Sequence, residues 1–245
     1  MAGLEQFREL PDAVLQERWQ NVCMRVQNAA QTSGRTMADV TLVAVSKFHA
    51  AEAVACVAAC GQKDFGENYV QEALGKQEAL AGHPACQGLR WHCIGHVQSR
   101  KAALVAGHFV LVHSVDSFKL AQGMEKALAA REECQPVLIQ VNVGSEPQKS
   151  GVDEANLVPL AEQLMTLPHL AVQGLMCIPP MFDDGPRARP YFARLRELRD
   201  SLRPRLGLPL PHLSMGMSGD FVEAVAEGAS LVRIGTDIFG QRPPQ

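Results

Sequence analysis

Residues 41–46, T-L-V-A-V-S, constrain this chain more than any other stretch, because they form an apolar and β-branched run of the kind buried on both faces of a parallel sheet. Parallel strands cannot be joined by tight hairpins, so each must return through a crossover, usually a helix. The rest of the chain supplies those crossovers. Further strand candidates fall at 64–68, 89–94, 109–113, 137–143, 170–178, 212–215 and 231–234, and helical patterns at 50–60, 69–80, 97–106, 118–133, 153–166, 188–206 and 220–228 lie between them. Gly61 is suited to a helix C-cap, Asp116 or Ser117 to an N-cap, and Pro179-Pro180 to stopping a strand. The helix at 188–206 is expected to break near Pro204.

Eight strand candidates, seven of them followed by a helix, predict an α/β fold in the form of a (β/α)8 TIM barrel. A further helix at 4–31, with Leu4, Phe7, Val14, Leu15, Val22 and Val26 on one stripe, is expected to pack on the outside. The length of 245 residues suits one domain spanning 1–245, and no linker, low-complexity run or repeat divides it. The competing architecture is an open doubly wound sheet, which more often stops at about five or six strands.

A net charge of -3 gives no basic field, so a small molecule is expected as partner rather than nucleic acid. Seven cysteines without a C-x-x-C pair suit reduced thiols in a cytosol-like compartment. No apolar run approaches the roughly 20 residues of a membrane span, and the first residues, Met-Ala-Gly-Leu-Glu-Gln-Phe, lack the features of a secretion signal. The expected location is cytoplasmic.

In a parallel barrel the carboxyl ends of the strands gather at one rim, where ligands bind. This register brings there Lys47, Glu67, Asn68, Gly95, His96, Ser114, Asn142, Met176, Ser214 to Ser218, Arg233, Gly235 and Thr236. Ser214 to Asp220 opens a helix, so its N–H groups can receive an anion, and Gly235-Thr236 offers a second approachable backbone with a hydroxyl. A lysine across the mouth can form a Schiff base with an aldehyde on the same ligand. Each residue also has a plainer reading. Lys47 could be a surface charge, Ser214 to Ser218 an N-cap, and Arg233 an ion-pair partner of Glu67 or Asp237. Cys56 and Cys60 share a helical face and read as core. His92 and His96 sit on a strand and its exit, a poor ligand pair. The arginines between Arg187 and Arg205 read as a solvated face behind the stripe of Phe192, Leu195, Leu198, Leu202 and Leu206.

The motifs A-V-S-K (44–47), F-G-E-N-Y (65–69), W-H-C-I-G-H-V-Q (91–98), K-S-G (149–151), G-L-M (174–176), S-M-G-M-S (214–218) and V-R-I-G-T-D-I-F-G (232–240) are together similar to those of the pyridoxal phosphate homeostasis protein family. That family in turn resembles the barrel domain of alanine racemase, a fold-type III pyridoxal phosphate protein. The resemblance implies pyridoxal 5'-phosphate (PLP) as cofactor, with Lys47 as the Schiff-base lysine. It also implies a phosphate site of Ser214, Gly235 and Thr236, Arg233 facing the pyridine nitrogen, and Asn68 and Met217 lining the ring pocket. A permanent cation there disfavours a protonated ring and weakens it as an electron sink. His49 stands where family members often carry a second basic residue.

An amino-acid racemase needs a second acid/base on the ring face opposite the lysine. The only tyrosines, Tyr69 and Tyr191, are poorly placed for that role by this register, and the chain ends nine residues after Thr236, without the second racemase domain. The resemblance therefore implies a carrier with no catalytic residue, one that buffers PLP and passes it to PLP-dependent apo-enzymes, and a monomer. The alternatives are a weak racemase and a metal-dependent barrel hydrolase drawing on the eight histidines; no metal site is expected.

Overall fold

In the computed structural model, which describes residues 10–146, 148–182 and 184–241, eight parallel strands close into a barrel in sequence order. They are β1 (Thr41–Val45), β2 (Asp64–Glu67), β3 (Arg90–Cys93), β4 (Leu111–Val115), β5 (Gln135–Gln140), β6 (Leu170–Met176), β7 (His212–Ser214) and β8 (Leu231–Ile234). Closure pairs Thr41 to Ala44 of β1 with Leu231 to Ile234 of β8, so the open-sheet alternative is excluded. Alternation along each strand sorts side chains to two faces. Phe65, Trp91, Cys93, Val232 and Ile234 join the large apolar layer under the helices. Val43, Leu111, Leu138, Met176 and Leu231 form a separate cluster inside the barrel. The same alternation sends His92, His113, Ser214 and Arg233 inward, where all four are buried.

The outer layer consists of α1 (Asp12–Thr32), α2 (Ala51–Ala59), α3 (Val70–Leu80), α4 (Ala102–Val105), α5 (Phe118–Ala129), α6 (Glu154–Leu164), α7 (Arg189–Leu206), α8 (Phe221–Ala226) and α9 (Thr236–Phe239). α1 packs against α2, α8 and α9. It starts after Pro11, whose backbone is extended at ψ 145°, rather than at residue 4; residues 4–9 of the expected helix lie outside those described. No described helix is long and apolar enough to cross a membrane.

Several boundaries move for local reasons. β4 begins two residues beyond its expected start, because Phe109 turns into the outer apolar layer and Leu111 is the residue that pairs with His92. The helix expected over 97–106 shrinks to a 3-10 turn, Ser99–Lys101, and the short α4, cut off by Gly107 at φ 79°. β5 stops at Gln140 because Asn142 leaves the sheet to make two hydrogen bonds with the backbone of Glu146, at 2.9 and 3.2 Å. α7 runs through Pro204 and ends at Gly207 in the left-handed region. α9 is a turn that the sequence reading did not separate from its loop. Most α7 arginines do face solvent, with Arg194 and Arg205 paired to Glu154 and Glu162 of α6, whereas the Arg199 side chain is only 11 % exposed. Cys56 and Cys60 are half-buried, with Cys56 packed against the edge of the apolar core, and all seven cysteines are free.

One buried ion cluster ties the exits of β1 and β2 to α3. The Lys76 ammonium donates to the Ser46 carbonyl, to Glu67 Oε1 and to Glu72 Oε1, each at 2.7 Å, and the Ser46 hydroxyl donates to the same Glu67 oxygen at 2.7 Å. The side chains of Lys76 and Glu67 are 7 % and 0 % exposed, so their charges depend on one another. Burial raises the Glu67 carboxyl above its ordinary range, and the Lys76 charge pulls the other way. Lys76→Met should therefore cost about 3–5 kcal/mol in urea unfolding, the range for stranding a buried charge, and adding Glu67→Leu should recover most of it. A single variant as stable as the parent would show that the pair is not coupled.

Candidate functional site

The site begins where β1 ends. Residues 46–49 form a tight turn closed by the His49 N–H donating to the Ser46 carbonyl at 3.1 Å. Phe48 within it sits at φ 67°, an unfavourable region for a bulky residue. Two contacts hold it there: its N–H donates to Glu72 Oε1 at 2.5 Å and its ring lies 5.1 Å from that of Tyr69. The turn presents Lys47 and His49 to a cavity of about 200 Å³ at the carboxyl ends of the strands.

Asn68 reaches the same cavity from the exit of β2. Gly95 crosses directly beneath it, where a Cβ would come within 2.3 Å of the Asn68 carbonyl, so that crossing requires glycine. After β7 the chain folds back at Gly216, φ +92°, where a Cβ would stand 2.6 Å from that of Ala224. The Met217 N–H then donates to Asp220 Oδ1 at 2.6 Å, and the turn delivers Met217, Ser218 and Gly219 to the cavity. Beyond β8, which pairs with β7, Gly235 and Thr236 line the neighbouring part of the cavity, with Ile94 and Val45 supplying apolar surface.

Arg233 forms part of the lining yet is only 4 % exposed. Its Nη1 donates to Ser214 Oγ at 2.6 Å and its Nη2 to the Cys177 carbonyl at 2.9 Å. The ion-pair reading of Arg233 fails, since Glu67 is held by Lys76 and Asp237 by Arg25. Burial lowers the guanidinium's pKa, countered by Cys177 and Asp220.

Lys47, Asn68, Met217, Arg233, Gly235 and Thr236 are thus brought together, but Ser214 is not. Its side chain is fully buried, and its hydroxyl is taken by Arg233 and by His113 Nδ1 at 2.7 Å. Ser214 is the last residue of β7 and faces into the barrel, whereas Ser218, four residues on and past the Gly216 turn, faces the cavity. Sequence reasoning missed His113 and Lys76 altogether. His113 reads as one polar residue in an apolar strand, and Lys76 as half of a surface Glu-Lys pair.

Among the described residues no three His, Cys, Asp or Glu side chains gather to hold a metal ion. His96 instead lies 3.4 Å from Asp116. Burial pushes the thiols of Cys93 and Cys177 up to about 12, which removes them as nucleophiles. Tyr69 is half exposed against Phe48 and Tyr191 packs on Phe182; neither lines the cavity.

A parallel barrel with a lysine at the exit of β1 and donor-rich loops after β7 and β8 is a small-molecule-binding barrel by geometry alone. The pattern of the family described as alanine racemase, N-terminal domain, matches residues 24–243. The pyridoxal phosphate homeostasis protein of Aquifex aeolicus is 45 % identical over 92 % of this chain and 97 % of its own. The structure of PipY from Synechococcus elongatus with PLP bound superposes with a TM-score of 0.77 at 37 % identity, covering 88 % of this chain and all of that one. Alanine racemase from Corynebacterium glutamicum, at 19 % identity and a TM-score of 0.68 over 92 % of this chain and 61 % of its own, shares the fold. The chain belongs to the pyridoxal phosphate homeostasis branch of the family of alanine racemase N-terminal domains.

His113 is pushed well below the ordinary histidine value, first by burial and then by His92, Arg233 and His212. It stays neutral in the fold where an unfolded chain would bind a proton. Stability should therefore fall as pH drops below the ordinary histidine pKa of about 6.5, by about 1.4 kcal/mol per pH unit from this residue. Unfolding free energies measured from pH 7 to pH 5 should show His113→Gln with the shallower slope. Equal slopes would contradict a neutral buried His113.

Proposed function

We propose that this protein binds pyridoxal 5'-phosphate through Lys47, buffers it, and releases it to PLP-dependent apo-enzymes, acting as a cytoplasmic monomer with no catalytic turnover of its own. One observation carries the reading: an amine, a guanidinium and two hydroxyl-and-glycine loops converge on a single cavity of about 200 Å³. That donor set matches a compact ligand bearing an aldehyde, a basic ring nitrogen and a phosphate.

The bound cofactor supplies an electrophilic aldehyde, which captures an amine reversibly. Lys47 provides that amine from the turn that Glu72 and Tyr69 brace. Ser218 and Thr236 supply hydroxyls, and Gly219 and Gly235 supply N–H groups, for the phosphate. Ser218 thus takes the place first expected of Ser214, whose hydroxyl already serves Arg233. Arg233 faces the ring nitrogen as a permanent donor, and Asn68, Met217 and Ile94 flank the ring.

The carrier reading rests on the positions of the proton-transfer groups. Lys47 and His49 issue from one turn after β1 and so reach the cavity from one side, and His49 is stacked on Phe239 at 5.1 Å. The tyrosines stand elsewhere. Relatives that match this chain over most of their length are named as homeostasis proteins.

Titration with PLP, followed by absorbance and dialysis, tests the assignment. Lys47→Ala should lose the violet absorbance and tight retention while keeping the parent's melting temperature. Ser218→Ala and Thr236→Ala should each weaken binding by about 0.5–3 kcal/mol, the range for single hydrogen bonds to neutral and charged groups. Undiminished retention by Lys47→Ala would refute the proposal.

A further inference from the structure

We propose that Asp64, His92, His113 and Ser214 form a one-directional hydrogen-bond chain through the barrel interior that positions Arg233 against the ring nitrogen of the bound cofactor. The proposal rests on the PLP reading above and deepens it. Asp64 Oδ1 lies 2.9 Å from His92 Nε2, His92 Nδ1 lies 2.9 Å from His113 Nε2, and His113 Nδ1 lies 2.7 Å from Ser214 Oγ. Arg233 Nη1 closes the series at 2.6 Å. The far end is anchored at the opposite mouth of the barrel, where Arg90 Nε donates to Asp64 Oδ1 at 2.7 Å. Asp64, Arg90, His92 and His212 line a cleft there. The chain therefore spans the barrel from mouth to mouth.

Its direction follows from its two ends. A guanidinium can only donate and a carboxylate can only accept, so Ser214 Oγ receives a proton from Arg233 and His92 Nε2 gives one to Asp64. Burial opposes ionisation of Asp64, but the hydrogen bonds from His92 and Arg90 and the Arg90 charge prevail and hold it below the usual carboxylate range. With a single proton shared along each bond of the series, every donor points the same way: Arg233 to Ser214, Ser214 to His113, His113 to His92, His92 to Asp64. The opposite arrangement between the histidines makes His92 a second cation in the same interior and leaves the Ser214 proton without an acceptor among the described residues. The aligned arrangement adds no charge and wastes no donor.

A buried cation without a directly bonded carboxylate must be compensated through its neutral partners. Here those partners are polarised by the distant Asp64 carboxylate, so each bond strengthens the next. Two of the five Arg233 donors are fixed inside the protein, and that restraint leaves the rest of the fork directed at the cavity it lines. Asp64, His92 and His113 act through Arg233 and are positioning residues.

The test compares two ligands on three proteins. PLP and its analogue with the ring nitrogen replaced by C–H are titrated into the parent, His113→Leu and His113→Gln. Leucine breaks the chain. Glutamine can keep its polarity, its carbonyl accepting from Ser214 and its amide donating to His92. His113→Leu should lose about tenfold in PLP affinity, the effect of one or two hydrogen bonds, and little for the analogue, while His113→Gln should stay near the parent for both. Equal losses for both ligands, or a glutamine variant no better than leucine, would show a merely structural role and overturn the proposal. Absence of the violet band in the parent would overturn the cofactor reading itself, whatever the variants do. Imidazole nitrogen NMR of the unliganded parent tests the chain separately and needs no variant to fold: His113 should carry its proton on Nε2 at neutral pH, and a proton on Nδ1 would refute the direction argued here.

Discussion

The structure depends on the burial of one positive charge. Arg233 is fixed by the alternation of β8, which sends Val232 and Ile234 to the outer apolar layer and leaves the arginine facing the barrel axis. Removing a guanidinium from water costs several kcal/mol even after relaxation, and among the described residues no carboxylate bonds to it directly. The interior has had to accommodate that charge. Where a barrel is commonly filled by branched apolar side chains, this one reserves positions on β3, β4 and β7 for His92, His113 and Ser214, and confines its apolar filling to the five residues around Leu138.

A second buried charge does for the other side of the cavity what Arg233 does for its floor. Lys76 gathers the exits of β1 and β2 and the first turn of α3 into one ionic knot, and the strained turn at Phe48 is tolerated because Glu72, bound to that knot, also accepts its N–H. Lys47 leaves the strand from this braced turn rather than from a free loop. The two ionic systems are built from different strands, and the cavity lies where their outputs meet, at the carboxyl ends where parallel barrels form their sites. The glycines at 95 and 216 allow the intervening backbone to pass close enough for the loops to face one another.

The barrel was legible because its signal is repeated. Each strand candidate carries a short apolar run and each crossover a helical stripe, so errors of two or three residues in β4 or β5 do not alter the count. Lys47, Gly235 and Thr236 were legible as strand-exit residues for the same reason. What the sequence could not separate was Ser214 from Ser218, since both fall in one five-residue motif, and the Gly216 turn decides which hydroxyl meets the cavity. His113 was illegible in a different way. It lies 21 residues from His92 and 101 from Ser214, contacts that exist only once the barrel closes. Lys76 was hidden by its spacing: a Glu-Lys pair four apart is the mark of a solvated helix face, and only Glu67, on a neighbouring strand, makes it a buried one.

We propose that the cofactor's aldehyde engages Lys47, held between these two ionic systems. Borohydride reduction of the PLP-loaded protein, followed by peptide mapping of the fixed adduct, addresses it directly. A single modified peptide carrying the label on Lys47 is expected. A label on Lys76, Lys149 or any other lysine, or a protein that takes up no label, would contradict it.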